Sequence, residues 1–178
     1  DDNERAAGNG ARRAAGARDD KQAHDVLREL RGFLLRDTGP WVADLDETDQ
    51  FHEWAVHRFR ELPVPFLTPE AVLSEACFLL ADSPRAVAKI GEYLGRGVLA
   101  MIPVGSAAQP RIFALMAKYR QVPMSYADAC LLWLAETHAR SRVFTLDSDF
   151  GIYRLDRARR VPVLAPFLAE PSDPPLPR

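Results

Sequence analysis

The sequence predicts an α/β protein with a three-layer α/β/α arrangement, in which helices cover both faces of a short central parallel sheet. Three observations support this class. Hydrophobic side chains make up 47% of the 178 residues, which is enough for a sizeable core. Short apolar runs alternate along the chain with longer segments of helical periodicity. The short runs are continuously apolar, as is typical of strands that are covered on both faces.

Each predicted element follows from its local pattern. The first strand, GFLLR, ends at an Asp-Thr-Gly-Pro turn, and Pro63 and Pro65 end the second helix. Thr68 is expected to be the N-cap of a helix with Pro69 at its first position. In chain order we predict a strand at 32–36, helices at 41–45 and 50–62, a strand at 66–67, helices from 68 to 81 and from 84 to 95, a strand at 98–104, a helix at 110–119, a helix of about fourteen residues from Ser125, a strand at 142–146, a short turn or helix from Ser148 and an edge strand at 161–164.

The two ends of the chain differ in composition from its middle. Residues 1–31 carry at most a narrow apolar stripe, so they are predicted to form an N-terminal extension that is disordered or partly helical. Residues 169–178 are rich in proline and are predicted to form an extended tail. The folded domain is therefore predicted to span residues 32–168.

Composition excludes several classes of protein. Two cysteines, Cys77 and Cys130, are too few for a disulfide scaffold, and neither belongs to a CxxC pair. The net charge of −2 gives no global basic footprint for nucleic acid, although a local patch is compatible with it. No apolar run is long enough to span a membrane and no secretory signal is present, so we expect a cytoplasmic protein without a membrane partner.

Four carboxylates stand where their surroundings do not explain them. Glu75 lies in the most apolar helix, where Val72, Phe78 and Leu79 are its neighbours at helical spacing, and a carboxylate on such a stripe needs a partner. The other three of these acids could each serve simply as a helix cap or a turn residue, so taken singly they do not indicate a site. Asp37 and Asp147 directly follow predicted strands, and Asp128 lies in the first turn of a helix.

The combination of these acids predicts a metal site. Ligands of open parallel sheets bind outside the carboxyl ends of the strands, so the fold is expected to bring the four acids together. Neighbouring carboxylates raise one another's pKa, and they remain ionised together only beside a cation. Oxygen ligands without His or Cys favour Mg²⁺ or Mn²⁺ over Zn²⁺, and such a site suits metal-assisted hydrolysis of phosphodiester bonds.

The sequence resembles the PIN-domain family, and within it the bacterial VapC-type toxins. The resemblance covers about residues 33–165 and rests on FLLRDTGPWVADLD, LTPEAVLSEACFLL, MAKYRQVPMSYADACLLWLAE and RVFTLDSDFGIYR. It implies a PIN-like fold and an acidic catalytic set of Asp37, Glu75, Asp128 and Asp147 that binds the metal. Asp149 either joins this set or replaces Asp147, and Thr145 matches the family's supporting hydroxyl.

The resemblance implies a Mg²⁺- or Mn²⁺-dependent endoribonuclease that acts on RNA. It also implies the toxin of a type II toxin–antitoxin pair, with a cognate antitoxin and a homodimeric state. Two alternatives stay open: a non-catalytic PIN-like binding module, and a structure-specific nuclease that acts on DNA. Arg36 departs from the family pattern, because relatives usually carry an apolar residue there; if its side chain points inward, it would pair with the acids and perturb the metal site.

Other chemistry-bearing residues receive simpler interpretations. Cys77 and Cys130 are expected to be small core residues, and the Trp and Phe side chains are expected to lie in the core rather than to stack on bases. His52 follows a loop near the first acid. Seven basic residues are candidates for contacts to RNA phosphates: Arg111, Lys118, Arg120, Arg154, Arg157, Arg159 and Arg160.

Overall fold

Five parallel strands form one sheet flanked by helices in the computed structural model, which describes residues 32–168. This confirms the predicted fold class, whereas the predicted extension at 1–31 and tail at 169–178 lie outside the described residues. The strands are β1 (Phe33–Arg36), β2 (Phe66–Thr68), β3 (Leu99–Met101), β4 (Ser141–Phe144) and β5 (Val163–Leu164). The helices are α1 (Thr38–Leu45), α2 (His52–Glu61), α3 (Glu70–Leu79), α4 (Pro84–Gly95), α5 (Gln109–Lys118) and α6 (Tyr126–Thr137).

The strand order is β3-β2-β1-β4-β5, and every pairing is parallel. The chain first builds the sheet outward from β1 through β2 to β3, and then returns to add β4 on the other side of β1. The carboxyl ends of β1 and β4 therefore form a topological switch point, where the connections that leave two adjacent strands diverge. Open α/β sheets bind their ligands in the crevice at this point.

The central strand β1 is buried on both faces, since all four of its side chains are at most 6% exposed. Leu34 and Leu35 pack with Phe66 and Phe144 of the neighbouring strands. Helix α6 is almost entirely buried and packs against α3, α5 and β4. This explains why its sequence, ACLLWLA, is apolar on every side.

The Arg36 guanidinium is fully buried within an aromatic box. Its Cζ lies 3.6 Å from the centre of the Trp41 ring and 4.5 Å from that of Phe59. Its Nη2 donates to the carbonyl oxygen of Pro40 at 2.6 Å and lies 3.5 Å from Asp44 Oδ2. The side chain therefore points inward but pairs with Asp44 of α1 and not with the predicted metal-binding acids.

Helix α3 corrects two expectations. Thr68 is the last residue of β2, and its hydroxyl donates to the carbonyl oxygen of Arg36 at 2.9 Å instead of capping the helix; Pro69 occupies the N-cap position. The buried stripe of α3 is formed by Val72, Ala76 and the following Leu80. Phe78 and Leu79, expected in the core, are 79% and 56% exposed: Phe78 projects away from the buried stripe, whereas Leu79 is the last residue of the helix.

None of the helices between residues 32 and 168 combines the length and the apolar character needed to cross a bilayer.

Candidate active site

Asp37 connects the two central strands at the switch point. It directly follows β1, and its backbone N–H donates to the carbonyl oxygen of Phe144 in β4 at 3.0 Å. Its Oδ1 accepts from the Thr38 N–H at 2.7 Å, which makes Asp37 the N-cap of α1, and its Oδ2 accepts from the Thr145 hydroxyl at 2.6 Å. Asp37 thus caps α1 with one carboxylate oxygen, as predicted, while its other oxygen binds Thr145 at the junction of β1 and β4.

Glu75 reaches the same region from α3. Its Oε2 accepts a 2.8 Å hydrogen bond from the Thr38 hydroxyl, while the backbone N–H of Thr38 binds Asp37. The Glu75 side chain is half-buried on the flank of the helix. Thr38 therefore joins two acids that are 38 positions apart in the sequence, a role that sequence analysis did not assign to it.

Asp128 is held by a capping box at the start of α6. Its backbone N–H donates to Ser125 Oγ at 3.0 Å, and its Oδ2 accepts from the Ser125 N–H at 2.8 Å. The box uses only one of its carboxylate oxygens. The carboxylate is buried, and this burial raises its pKa to about 6, with the negative charges of Asp147 and Glu75 adding to the shift.

Asp147 and Asp149 occupy the turn after β4. The Asp147 N–H donates to Thr145 Oγ1 at 2.9 Å, and Asp147 Oδ1 accepts from the Asp149 N–H at 2.8 Å at the start of the 3₁₀ turn Ser148–Gly151. The pKa of Asp149 is raised by burial and then by the charge of Asp147. Thr145 thus contacts both Asp37 and Asp147, which fits the supporting role that the resemblance implied.

The electrostatic coupling among the acids indicates that they share one region. Burial raises the pKa of Asp37 to about 7, the hydrogen bond from Thr145 opposes this rise, and the charges of Asp128 and Asp147 add to it. Asp128 is coupled in turn to Glu75 and Asp147. The structure therefore places the four predicted acids within range of one another's charge, and hydrogen bonds to Thr38 and Thr145 link three of them: Asp37, Glu75 and Asp147. Asp149 is coupled to Asp147.

Tyr153 is a further neighbour that sequence analysis missed. Its ring is fully buried, and its hydroxyl has no hydrogen-bond partner among the described residues. Burial raises its pKa, and the charges of Asp128 and Asp147 raise it further. Nothing in the sequence distinguishes this tyrosine from an ordinary core residue, because only the fold places it near the acids.

The side chains that surround this cluster fit a hard cation better than a soft one. The candidate donors are carboxylate oxygens, although within residues 32–168 no group of three or more acidic, His or Cys side chains lies close enough together to hold a metal ion. His52 is not part of the cluster, because its Nδ1 lies 2.7 Å from the carbonyl oxygen of Ala43 in α1. Cys130 is a buried thiol whose pKa burial raises to about 11, which leaves it neutral and a poor ligand.

Two of the basic candidates have other partners. Arg111 makes a two-pronged contact with Glu136, at 2.9 and 2.6 Å, and a longer one with Asp156. Arg154 donates to the backbone carbonyls of residues 151, 152 and 153. Arg111 therefore joins α5 to α6, and Arg154 stabilises the backbone at residues 151–153, so both side chains already have structural partners.

The fold and the site together define a class: a parallel α/β domain with an acidic cluster at the switch point of its sheet. The family model described as PIN domain matches residues 34–157. The chain belongs to the PIN-domain family. A search of curated proteins gives no match.

Solved structures of similar fold include VapC20 of Mycobacterium tuberculosis, described as a sarcin-ricin loop cleaving toxin. It shares 19% identity with this chain, with a TM-score of 0.61 over 67% of this chain and 93% of VapC20. DNA-bound VapBC from Salmonella typhimurium gives a TM-score of 0.54 at 14% identity, over 75% and 98% of the two chains. VapBC2 from Rickettsia felis, bound to a promoter DNA fragment, gives 0.51 at 13% identity, also over 75% and 98%. These structural similarities support the PIN-like fold of this chain.

Proposed function

We propose that this PIN-domain protein is a metal-dependent endoribonuclease and the toxin of a type II toxin–antitoxin pair. The observation that carries the proposal is the convergence of Asp37, Glu75, Asp128 and Asp147 at the junction of β1 and β4, with buried carboxylates of raised pKa. An all-carboxylate cluster has little use in a protein core, because it destabilises the fold unless a cation offsets its charge.

Mg²⁺ or Mn²⁺ fits the donor set, and Asp37, Glu75, Asp128 and Asp147 are the residues that would hold it, with Asp149 at the edge. When bound, such a cation neutralises charge that develops on a phosphoryl oxygen and lowers the pKa of water. The chain's own residues orient the carboxylates: Thr145 fixes Asp37, Thr38 fixes Glu75, and Ser125 fixes Asp128. The hydrogen bond from Thr145 also favours the ionised form of Asp37, which is the form that binds a cation.

The location of Arg36 removes the main argument for a non-catalytic binding module. A guanidinium among the acids would have substituted for a cation, but Arg36 is enclosed by aromatic rings and paired with Asp44. Arg36 therefore does not neutralise the acidic cluster. The VapBC structures of similar fold support a cognate antitoxin as the partner. The homodimeric state rests on the sequence resemblance alone.

The direct test is cleavage of a structured RNA in Mn²⁺ by the wild-type protein and by Asp128→Asn. Asparagine keeps an oxygen for the Ser125 N–H, so the capping box survives while the charge is lost. Asp82→Asn is the matched control, since Asp82 is an exposed acid outside the cluster.

We expect cleavage by the wild type and by Asp82→Asn, and a loss of about 100-fold or more for Asp128→Asn. Equal cleavage by all three proteins would reject the assignment. The same strand supplied as DNA separates a ribonuclease from the alternative nuclease, because we expect cleavage of the RNA only.

A further inference from the structure

A groove lies between α3 and α6, directly beside the acidic cluster. Its volume is about 660 Å³, within the usual range of small-ligand sites. Glu75 and Ser125 line both regions: Glu75 is a member of the cluster, and Ser125 holds Asp128. A ligand that is bound to the acids therefore has a direct path into this groove.

Two aromatic side chains line the groove. Phe78 projects from α3 and is 79% exposed, which is unusual for a ring of this size. Tyr126 projects from α6, where its hydroxyl donates to Gln109 Oε1 at 2.8 Å and its ring packs on Phe113, with 6.1 Å between ring centres. The Tyr126 ring is thus held in place before any ligand arrives, and the groove offers flat apolar surfaces to a flat partner.

The negative charge of the groove excludes the phosphates of a nucleic acid but not its bases. Its charged lining residues are Glu70 and Glu75, and among the described residues no Lys, Arg or His lines it. A phosphate would be repelled by two carboxylates without a counter-charge. A nucleobase is neutral at pH 7, stacks on aromatic rings, and carries donors for carboxylate and hydroxyl oxygens such as those of Glu70 and Ser74.

We propose that the α3–α6 groove binds one unpaired nucleobase of the RNA, next to the phosphate that lies at the acidic cluster. This inference rests on the proposed ribonuclease function and adds a specificity site to it. The Glu70 carboxylate, on the first turn of α3, accepts hydrogen bonds but cannot donate them. The groove therefore favours adenine over uracil, because the two-ring base covers more aromatic surface and its amino group has two N–H donors, whereas uracil has only its N3–H.

Binding of three fluorescein-labelled decamers tests the proposal: oligoadenylate, oligouridylate and an abasic ribose-phosphate strand of equal length and charge. The titrations are done in Ca²⁺, a hard cation for the same oxygen ligands, with the strands checked for cleavage afterwards. The variants are Phe78→Ala and Glu70→Gln. Phe167→Ala is the matched control, because it removes an exposed phenylalanine that does not line the groove.

We expect the wild type to bind oligoadenylate about 10-fold more tightly than the abasic strand, and Phe78→Ala to lose most of this difference while Phe167→Ala keeps it. Glu70→Gln should reduce the preference for oligoadenylate over oligouridylate. Equal binding of all three strands by the wild type, or an undiminished base dependence in Phe78→Ala, would overturn the inference.

Two further readouts separate this site from its alternatives. If Phe78→Ala converts a dimer into a monomer in light scattering and leaves base dependence unchanged, the groove is a protein interface and the inference is wrong.

Cleavage of the structured RNA in Mn²⁺ is measured on the same samples. Intact cleavage without base dependence rejects only the groove, whereas base-dependent binding without cleavage rejects the proposed ribonuclease.

Discussion

The Thr145 hydroxyl donates a 2.6 Å hydrogen bond to Asp37 Oδ2, although 108 positions separate the two residues in the sequence. The bond spans the junction of β1 and β4, where the backbone N–H of Asp37 also binds the carbonyl of Phe144. Both side chains are buried. The hydrogen bond from Thr145 therefore favours the ionised form of Asp37, against the burial that raises its pKa to about 7.

Replacement of Thr145 by valine should weaken Mn²⁺ binding. Valine has the same shape but no hydroxyl, so the pKa of Asp37 should rise above about 7 and a larger fraction should be protonated at neutral pH. We expect a decrease in Mn²⁺ affinity of about 10-fold, as is typical for residues that orient metal ligands. Isothermal titration calorimetry at pH 7 measures it. Thr145→Ser keeps the hydroxyl and should bind as the wild type does; a similar loss in both variants would contradict this role.

Asp37→Asn should stabilise the metal-free protein at alkaline pH. The pKa of Asp37 is raised to about 7 in the folded protein, above the ordinary value of 3.8, so the folded state holds more protons between these values. Its stability therefore falls as pH rises from about 4 to 7, and asparagine removes this loss.

The expected gain is on the order of 1 to 4 kcal/mol in the free energy of unfolding at pH 8, and little at pH 4. Urea unfolding in EDTA measures it. Asp128 is coupled to Asp37, so the wild-type transition reports on the pair. A variant that is less stable than the wild type at pH 8 would mean that the Asp37 charge is already compensated without a cation.

Asp44→Ala should strongly destabilise the fold. Asp44 is the acidic partner of the buried Arg36 guanidinium, and burial lowers the pKa of Arg36 to about 10 while the charge of Asp44 opposes that shift. Removal of one member of a buried pair typically costs about 3 to 5 kcal/mol, because the other charge is left uncompensated.

The double variant Arg36→Met with Asp44→Leu should recover much of that stability, since both charges are gone. Urea unfolding of the wild type and both variants, with a circular dichroism readout, gives the comparison. If Asp44→Ala unfolds at the same urea concentration as the wild type, the buried Arg36 guanidinium does not need Asp44 as its counter-charge.

Much of the fold was predictable, because local signals and tertiary packing agree there. The sequence predicts a capping box formed by Ser125 and Asp128, and both hydrogen bonds of the box are present. The alternation of short apolar runs and helices predicted the parallel sheet. The predicted strand at 98–104 is shorter, Leu99–Met101, since Pro103 lacks an N–H for further pairing.

The side of a helix that is buried was harder to predict. An apolar helix such as α3 offers several possible stripes, and only packing against α1 and α6 selects Val72 and Ala76 over Phe78. The partner of Arg36 likewise depends on where α1 lies. Asp37 and Asp147 were identified from strand ends, Asp128 from a helix start and Glu75 as a charge within an apolar helix. The roles of Thr38 and Tyr153 depend on contacts between distant elements, so the sequence did not predict them.

Four carboxylates that are distant in the sequence are proposed to form one site for a single hard cation. Calorimetric titration of Mn²⁺ into the wild type, Asp128→Asn and Asp82→Asn measures whether that site exists. We expect saturable binding by the wild type and by Asp82→Asn, and an affinity at least about 10-fold weaker for Asp128→Asn. Indistinguishable titrations for the wild type and Asp128→Asn would contradict it, because Asp128 would then lie outside any cation site.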